Sequence, residues 1–327
     1  MPETAVSGGL RLRAAGGRLH LAALRDYAIL IAFIVLFIVL AVSSDVFLTQ
    51  TNLLNILNQW STIGIIACGA TLVIIAGGFD LSVGAILAIA GVAAAKVANS
   101  VGVPAGLLVG IAMGLGWGIV NGLLATVGRI NPFIATLATS FVIRGVALAM
   151  TGGFIITVTE PGFTTLGRDE LFGVKWTIWI FVAFAAITWF LLSRTTYGRY
   201  VFAAGGNAEA ARLSGIRVGL IRGSTFAISG LSAGIAGVLV SSRVASGQAD
   251  AGAGVELQAI AAVVIGGTSI LGGEGAIWRT LLGVLLLGLI QNGFNLLNVD
   301  PVYQQIFYGG IIIGAVALDA WARRTGS

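Results

Sequence analysis

The chain alternates between long apolar runs and short polar or glycine-rich interruptions. Ten apolar segments stand out, at roughly 27–43, 60–76, 82–98, 104–127, 132–151, 176–192, 220–241, 258–271, 276–297 and 302–319. Their length predicts membrane-spanning helices, because a helix needs about 20 apolar residues to cross the hydrocarbon core. A transmembrane barrel would show alternating segments of roughly ten residues, and the chain shows none. The expected fold is an all-α integral membrane protein of about ten transmembrane helices.

Composition agrees with that pattern. The chain is 57% hydrophobic and only 9% charged, with mean hydropathy +1.00, whereas a soluble domain carries about a quarter charged residues. There is too little charge here to cover a water-facing surface. The 48 glycines suit helices that approach closely in lipid. The net charge of +5 has a placement that argues against nucleic acid and for membrane orientation. Arg11, Arg13, Arg18 and Arg25 precede the first span, Arg323 and Arg324 follow the last, and residues 193–222 hold Arg194, Arg199, Arg212, Arg217 and Arg222. With ten spans and the N-terminus inside, all three clusters fall on the cytoplasmic side, as basic loops do. The expected division is a basic cytoplasmic tail over 1–25, a transmembrane domain over 26–320 with a cytoplasmic loop at 193–222, and a C-terminal cytoplasmic tail over 321–327. The tail has no small-residue cleavage site and reads as retained.

Little catalytic chemistry is available. The only lysines, Lys96 and Lys175, do not follow a glycine, so the G-x-x-x-x-G-K-[ST] phosphate loop is absent. One histidine (His20) and one cysteine (Cys68) exclude a His/Cys metal cluster; Cys68 reads as a small packing residue. No metal or bound cofactor is expected, and passage of a solute is the natural function.

Three groups of residues carry candidate function. "GGFDLS" breaks an apolar run at Gly77 and Gly78 and adds Asp80 and Ser82. By the topology, Asp80 lies at the inner end of the second span, where it caps the amides of Ser82 and Val83 and meets the positive end of the next helix. A proton or ion site, or a gating role, is the alternative. "IGGTSILGGEG" repeats the theme with Gly266, Gly267, Gly272, Gly273 and Glu274. The second group is a short helix in the basic loop, formed by Asn207, Ala208, Glu209, Ala210, Ala211, Arg212, Leu213, Ser214 and Gly215. Asn207 is its N-cap and Gly215 its stop. It is either a plain helical loop or a docking helix pushed by a partner protein. The third group lines a solute pathway: the amides of Asn58 and Gln59 at an outer helix end, those of Gln291, Asn292 and Asn295 in the ninth span, and Arg144 inside the fifth. Amides donate and accept, which suits sugar hydroxyls, but caps and interhelical bonds explain them equally.

Four stretches in order, "TNLLNILNQWSTIGIIACGATLVIIAGGFDLSVGA" (51–85), "NPFIATLATSFVIRGVALAMTGG" (131–153), "TTYGRYVFAAGGNAEAARLSGI" (195–216) and "VELQAIAAVVIGGTSILGGEGAIWRTLLG" (255–283), resemble the permease subunit of the ribose/xylose/galactose-type sugar ABC importers. That resemblance implies a type II-like permease fold in the bacterial inner membrane, with two permease copies forming the pathway. ATP and Mg would be used by a separate ATP-binding subunit, and an extracytoplasmic sugar-binding protein would deliver a monosaccharide. By position, Asn207–Gly215 matches the family's coupling helix. Surrounding lipid is a further partner; nucleic acid is not. A secondary carrier or channel for a small polar solute is the competing reading.

Overall fold

The computed structural model describes residues 29–300 and scattered positions between 302 and 314. The basic tail with His20, the last apolar segment over 302–319 and the C-terminal arginines lie wholly or largely outside the described residues. Twelve helices are described: α1 Ile29–Ser43, α2 Gln50–Ile75, α3 Val83–Val101, α4 Val103–Thr126, α5 Pro132–Thr151, α6 Thr165–Arg168, α7 Trp176–Arg194, α8 Thr196–Gly206, α9 Ala208–Leu213, α10 Val218–Val244, α11 Val255–Ile265 and α12 Ile277–Leu296. Two short antiparallel pairs join them. β1 (Ile156–Thr157) pairs with β4 (Ser246–Gly247), and β2 (Glu170–Leu171) with β3 (Val174–Lys175).

Seven helices (α2, α3, α4, α5, α7, α10 and α12) are long and apolar enough to cross a bilayer. Their ends follow local chemistry. Thr49 caps α2 by accepting the Asn52 amide at 3.3 Å, and Asn131 caps α5 by accepting that of Phe133 at 3.0 Å. Pro104 and Pro132 occupy first turns, where a missing N–H costs nothing. A single residue, Gly102, reverses the chain between α3 and α4 with φ 119°.

The bundle has two ends. Residues 76–82, 127–131, 195–217 and 266–276 gather at one, the α8–α9 end; the strand pairs and α6 lie at the other, the strand end. Helices α2, α3 and α10 are buried over more than half of their residues, so these form the centre. By contrast α4 is only 22% buried and keeps an apolar outer face that includes Leu108 and Leu123. Its buried residues are Gly106, Gly110, Gly114, Gly118, Asn121 and Gly122. That glycine stripe lets the α4 backbone touch α10: a methyl on Gly118 would meet the Phe226 carbonyl at 2.5 Å.

Two sequence expectations need correction. The segment 258–271 is not a span. Its helix, α11, covers 11 residues, about 16 Å at 1.5 Å per residue, half the hydrocarbon thickness. Gly266 and Gly267 stop it, and irregular backbone follows to Ala276. The second span also begins earlier than its apolar run: α2 starts at Gln50, not near 60. Early polar residues such as Asn52 are absorbed by bonds to α12, with Asn52 and Asn292 exchanging hydrogen bonds of 3.2 and 2.7 Å.

Candidate functional site

The predicted breaks have one geometry. Gly77 N–H donates to Ile74 O (2.9 Å) and Gly78 N–H to Val73 O (2.9 Å). Gly267 N–H donates to Val264 O (2.8 Å) and Thr268 N–H to Val263 O (3.2 Å). Gly77 (φ 84°) and Gly267 (φ 77°) are left-handed, the conformation that ends a helix with a wound-back turn and that only glycine adopts freely. The breaks also converge in space. Gly273 N–H donates to Ile75 O at 2.8 Å, and a methyl on Gly272 would lie 3.0 Å from the Gly77 Cα. Gly205 and Gly206, the last residues of α8, complete the cluster: a methyl on Gly205 would strike Ile75 O and sit 2.8 Å from Gly273 N. Thus α8 packs backbone to backbone on both breaks. Glu274 is exposed at its edge.

Asp80 departs from its expected place. It is 4% exposed, not at a water-facing end, because residues 76–82 turn back into the bundle. Its Oδ1 accepts the Ser82 amide (3.0 Å) and hydroxyl (2.6 Å), and its Oδ2 accepts the Ser229 hydroxyl (2.8 Å) from the middle of α10. Val83 is not held by it among the described bonds, so the cap is only half of what was expected. Asn121 Nδ2 donates to Ser82 Oγ (2.7 Å), and Thr139 Oγ1 donates to Asn121 Oδ1 (2.7 Å). The carboxylate therefore closes a buried network joining α3, α4, α5 and α10. Its oxygens accept three donors, the condition under which a buried charge is tolerated.

The short helix in the basic loop is as predicted. Asn207 accepts the Ala210 amide at 2.9 Å, Gly215 stops it with φ 84°, and Arg212 meets Glu209 at 2.7 Å on the surface. Two of its residues stand apart. Ala211 is buried, with its carbonyl accepting the Ile216 amide at 3.0 Å, so it faces this chain. Leu213 is 80% exposed and is the apolar knob of the element.

The pathway candidates do not form one site. Asn58 and Gln59 lie two turns inside α2, not at its end. Trp60 donates to Gln291 (3.0 Å), Asn292 pairs with Asn52, and Gln304 donates to Asn295 (3.2 Å), so the ninth-span amides serve helix contacts. Arg144 sits on α5, which packs on α3 and α4.

Sequence reasoning missed a second polar region. After β4 the chain does not stay at the strand end: a methyl on Gly247 would touch Val92 in mid-α3, and one on Gly252 the Gly84 carbonyl at 2.8 Å. Residues 248–254 thus descend beside α3, and α11 starts at depth, where Glu256 stands against Gly84 with its Oε2 buried and unpartnered among the described residues. A cavity of about 270 Å³ lies at the α8–α9 end, and one of about 230 Å³ lies along this descent, walled by Leu87, Val240, Ser241, Ser246 and Gln248. Irregular backbone at membrane depth occurs where it is buried in protein or lines a polar cavity. The signal was present in "SGQADAGAGVE" (246–256), polar and glycine-rich between two apolar runs.

Comparison with known proteins places the chain. The family described as branched-chain amino acid transport system / permease component matches residues 52–316. The ribose import permease protein of Escherichia coli strain K12 is 42% identical over 301 residues, covering 89% of this chain and 92% of that protein. The L-arabinose transport system permease protein of the same organism is 40% identical over 303 residues, covering 91% and 92%. The Bacillus subtilis ribose import permease protein is 42% identical over 288 residues, covering 87% and 89%. No solved structure gives a significant match. With seven long apolar helices and matches of this extent, the chain is a multi-pass protein of the bacterial inner membrane and belongs to the family of transport-system permease components.

Proposed function

We propose that the chain is the membrane subunit of an ATP-driven, binding-protein-dependent importer for a monosaccharide of the ribose or arabinose kind. The observation that carries this reading is the 42% identity to a ribose import permease along nearly the whole of both chains. The family description mentions branched-chain amino acids, but the chemistry of the descent favours a sugar. An amino acid zwitterion asks for charges of both signs, whereas the descent has the carboxylates Asp250 and Glu256 but no basic side chain in its cavity, and Ser241, Ser246 and Gln248 offer hydroxyl and amide groups suited to a neutral polyol. The reading places the pathway along 246–256, between two copies of the chain. The α8–α9 end is cytoplasmic in this reading, since Arg129, Arg194, Arg199, Arg212, Arg217, Arg222 and Arg279 gather there. A separate ATPase, using ATP and Mg, docks on α9, with Glu209, Ala210, Arg212 and Leu213 facing it. Its motion reaches the breaks through α8, whose C-terminus touches both.

The test is uptake into vesicles holding the chain, its ATPase and its binding protein, with labelled ribose, arabinose and leucine compared. ATP-dependent uptake of a pentose but not leucine is expected. Uptake without ATP would replace this reading with a secondary carrier, and leucine uptake would replace the substrate class.

A further inference from the structure

The α8–α9 end carries two adjoining hollows whose only residues on the coupling path of the transport reading are Gly77 and Gly78, at the edge of the first. The first, of about 270 Å³, is walled by Gly77, Gly78, Arg129, Asn131 and Arg222. The second, of about 500 Å³, is an apolar groove between the last turns of α4 and the first of α10, walled by Ile119, Leu123, Gly219, Leu220 and Gly223. Thr126 lines both, so the two hollows adjoin at that residue. Arg129 and Arg222 have no carboxylate partner among the described residues, and the polar hollow contains no acidic side chain. Arg222 Nη2 donates to Ala204 O at 2.9 Å, but its Nε is buried and unpartnered. Asn131 and Pro132 bring the N-terminus of the 20-residue α5 to the same hollow, adding the positive end of a helix dipole. Leu123 and Leu220 are each more than half exposed along the groove.

We propose that this pair of hollows binds an anionic phospholipid, with the phosphate between Arg129 and Arg222 and an acyl chain in the groove between α4 and α10. Charge selects the occupant. The first hollow carries two arginines and no acidic side chain and lies where α2, α4 and α10 end or begin, and the apolar groove adjoins it at Thr126 between two spanning helices. A soluble phosphate would satisfy the arginines and leave the groove empty; a second copy of the chain would cover the groove and bring no anion.

Detergent-purified full-length chain, mixed with equal amounts of phosphatidylglycerol and phosphatidylcholine, is examined by native mass spectrometry. Retention should favour phosphatidylglycerol by roughly thirtyfold, as two interfacial arginines at about 1 kcal/mol each supply. Arg129→Gln should cut that preference by roughly fivefold, leaving what Arg222 supplies. Gly223→Leu should lower retention of both lipids several-fold, since a methyl there meets Thr126 Oγ1 at an unstrained 3.6 Å and the larger side chain fills the groove. Arg129 is exposed and Gly223 is half-buried beside Gly122 on α4, and gel filtration checks that each variant stays monodisperse. Equal retention of the two lipids by the wild type, or an unchanged preference in Arg129→Gln, would overturn the proposal. So would displacement of phosphatidylglycerol by inorganic phosphate with no effect of Gly223→Leu, which assigns the hollow to a soluble anion. Disulfide cross-linking between copies through Leu220→Cys in a Cys68→Ala background, blocking lipid retention, assigns the groove to the second copy.

Discussion

Asp80 ties α3 to α10, because it accepts from Ser82 twice and from Ser229 once. Asn has one acceptor oxygen and two N–H donors. It can still take the Ser82 amide, and the Ser229 hydroxyl can turn to accept, so Asp80→Asn should keep most uptake. Asp80→Leu removes every acceptor. Each buried donor left without a partner costs about 1–3 kcal/mol, so this variant should unfold at a clearly lower temperature in detergent and lose uptake. Loss of transport in a well-folded Asp80→Asn protein would show that the charge itself is needed and that Asp80 is more than a structural tie. Glu256 poses the opposite case. Its Oε2 has no partner among the described residues, so Glu256→Gln should leave the unfolding temperature within a degree or two of wild type while raising the KM for sugar several-fold. A large stability loss with unchanged KM would make Glu256 a packing residue. The carboxylate of Asp80 was conspicuous in the sequence. Its partners were not, since Ser229 and Asn121 are ordinary small polar residues in apolar helices, and only the fold brings them to it.

At the scale of elements, the glycines divide into two uses. Along α4 they recur every fourth position from Gly106 to Gly122, a spacing that marks a close-packing helix face in the sequence itself. At the breaks they serve meeting points that spacing does not reveal. Gly205 and Gly206 look like the plain end of a loop, yet they sit on Ile75 and Gly273. Gly205→Ala would push a methyl into the Ile75 carbonyl, and relieving such overpacking costs about 1–3 kcal/mol. The expected result is an α8 displaced from the breaks, with ATP hydrolysis retained and sugar uptake lost; equal loss or equal retention of both activities would remove α8 from the transmission path. On α9, the two alanines separate the same question. Ala210 is exposed and Ala211 buried against the chain. Ala210→Trp should uncouple hydrolysis from uptake without changing the unfolding temperature, and Ala211→Trp should lower that temperature. Leu213→Asp, at the exposed knob, should weaken co-purification of the ATPase. Wild-type coupling in both Ala210→Trp and Leu213→Asp would leave α9 as an ordinary loop helix.

The molecule as a whole is a bundle whose span pattern was legible where helices are continuous and misleading where they are not. Apolar runs located α3, α4, α5, α7, α10 and α12 to within a few residues, because a helix that crosses the hydrocarbon core must be predominantly apolar along its length, whether it meets lipid or other helices. The same rule failed at 258–271. There, α11 needs apolar residues for burial against α2 and α12, not for crossing, so hydropathy sees a span where a half-helix stands. The consequence is a matter of parity. If α11 and the backbone from 266 to 276 together return the chain to the α8–α9 end, that end holds 76–82, 127–131, 195–217 and 266–276 on one side of the membrane. In the proposed orientation its seven described arginines face the cytoplasm as basic loops do, and residues 152–175, with Glu160, Asp169 and Glu170, face outward. Single cysteines in a Cys68→Ala background decide this directly. Ala208→Cys and Glu274→Cys should both resist a membrane-impermeant maleimide in intact cells and react once the membrane is opened, whereas Glu160→Cys should react at once. Labelling of Ala208→Cys from outside would invert the protein and with it the ATPase site. Opposite behaviour of Ala208→Cys and Glu274→Cys would mean that α11 and its break do cross after all.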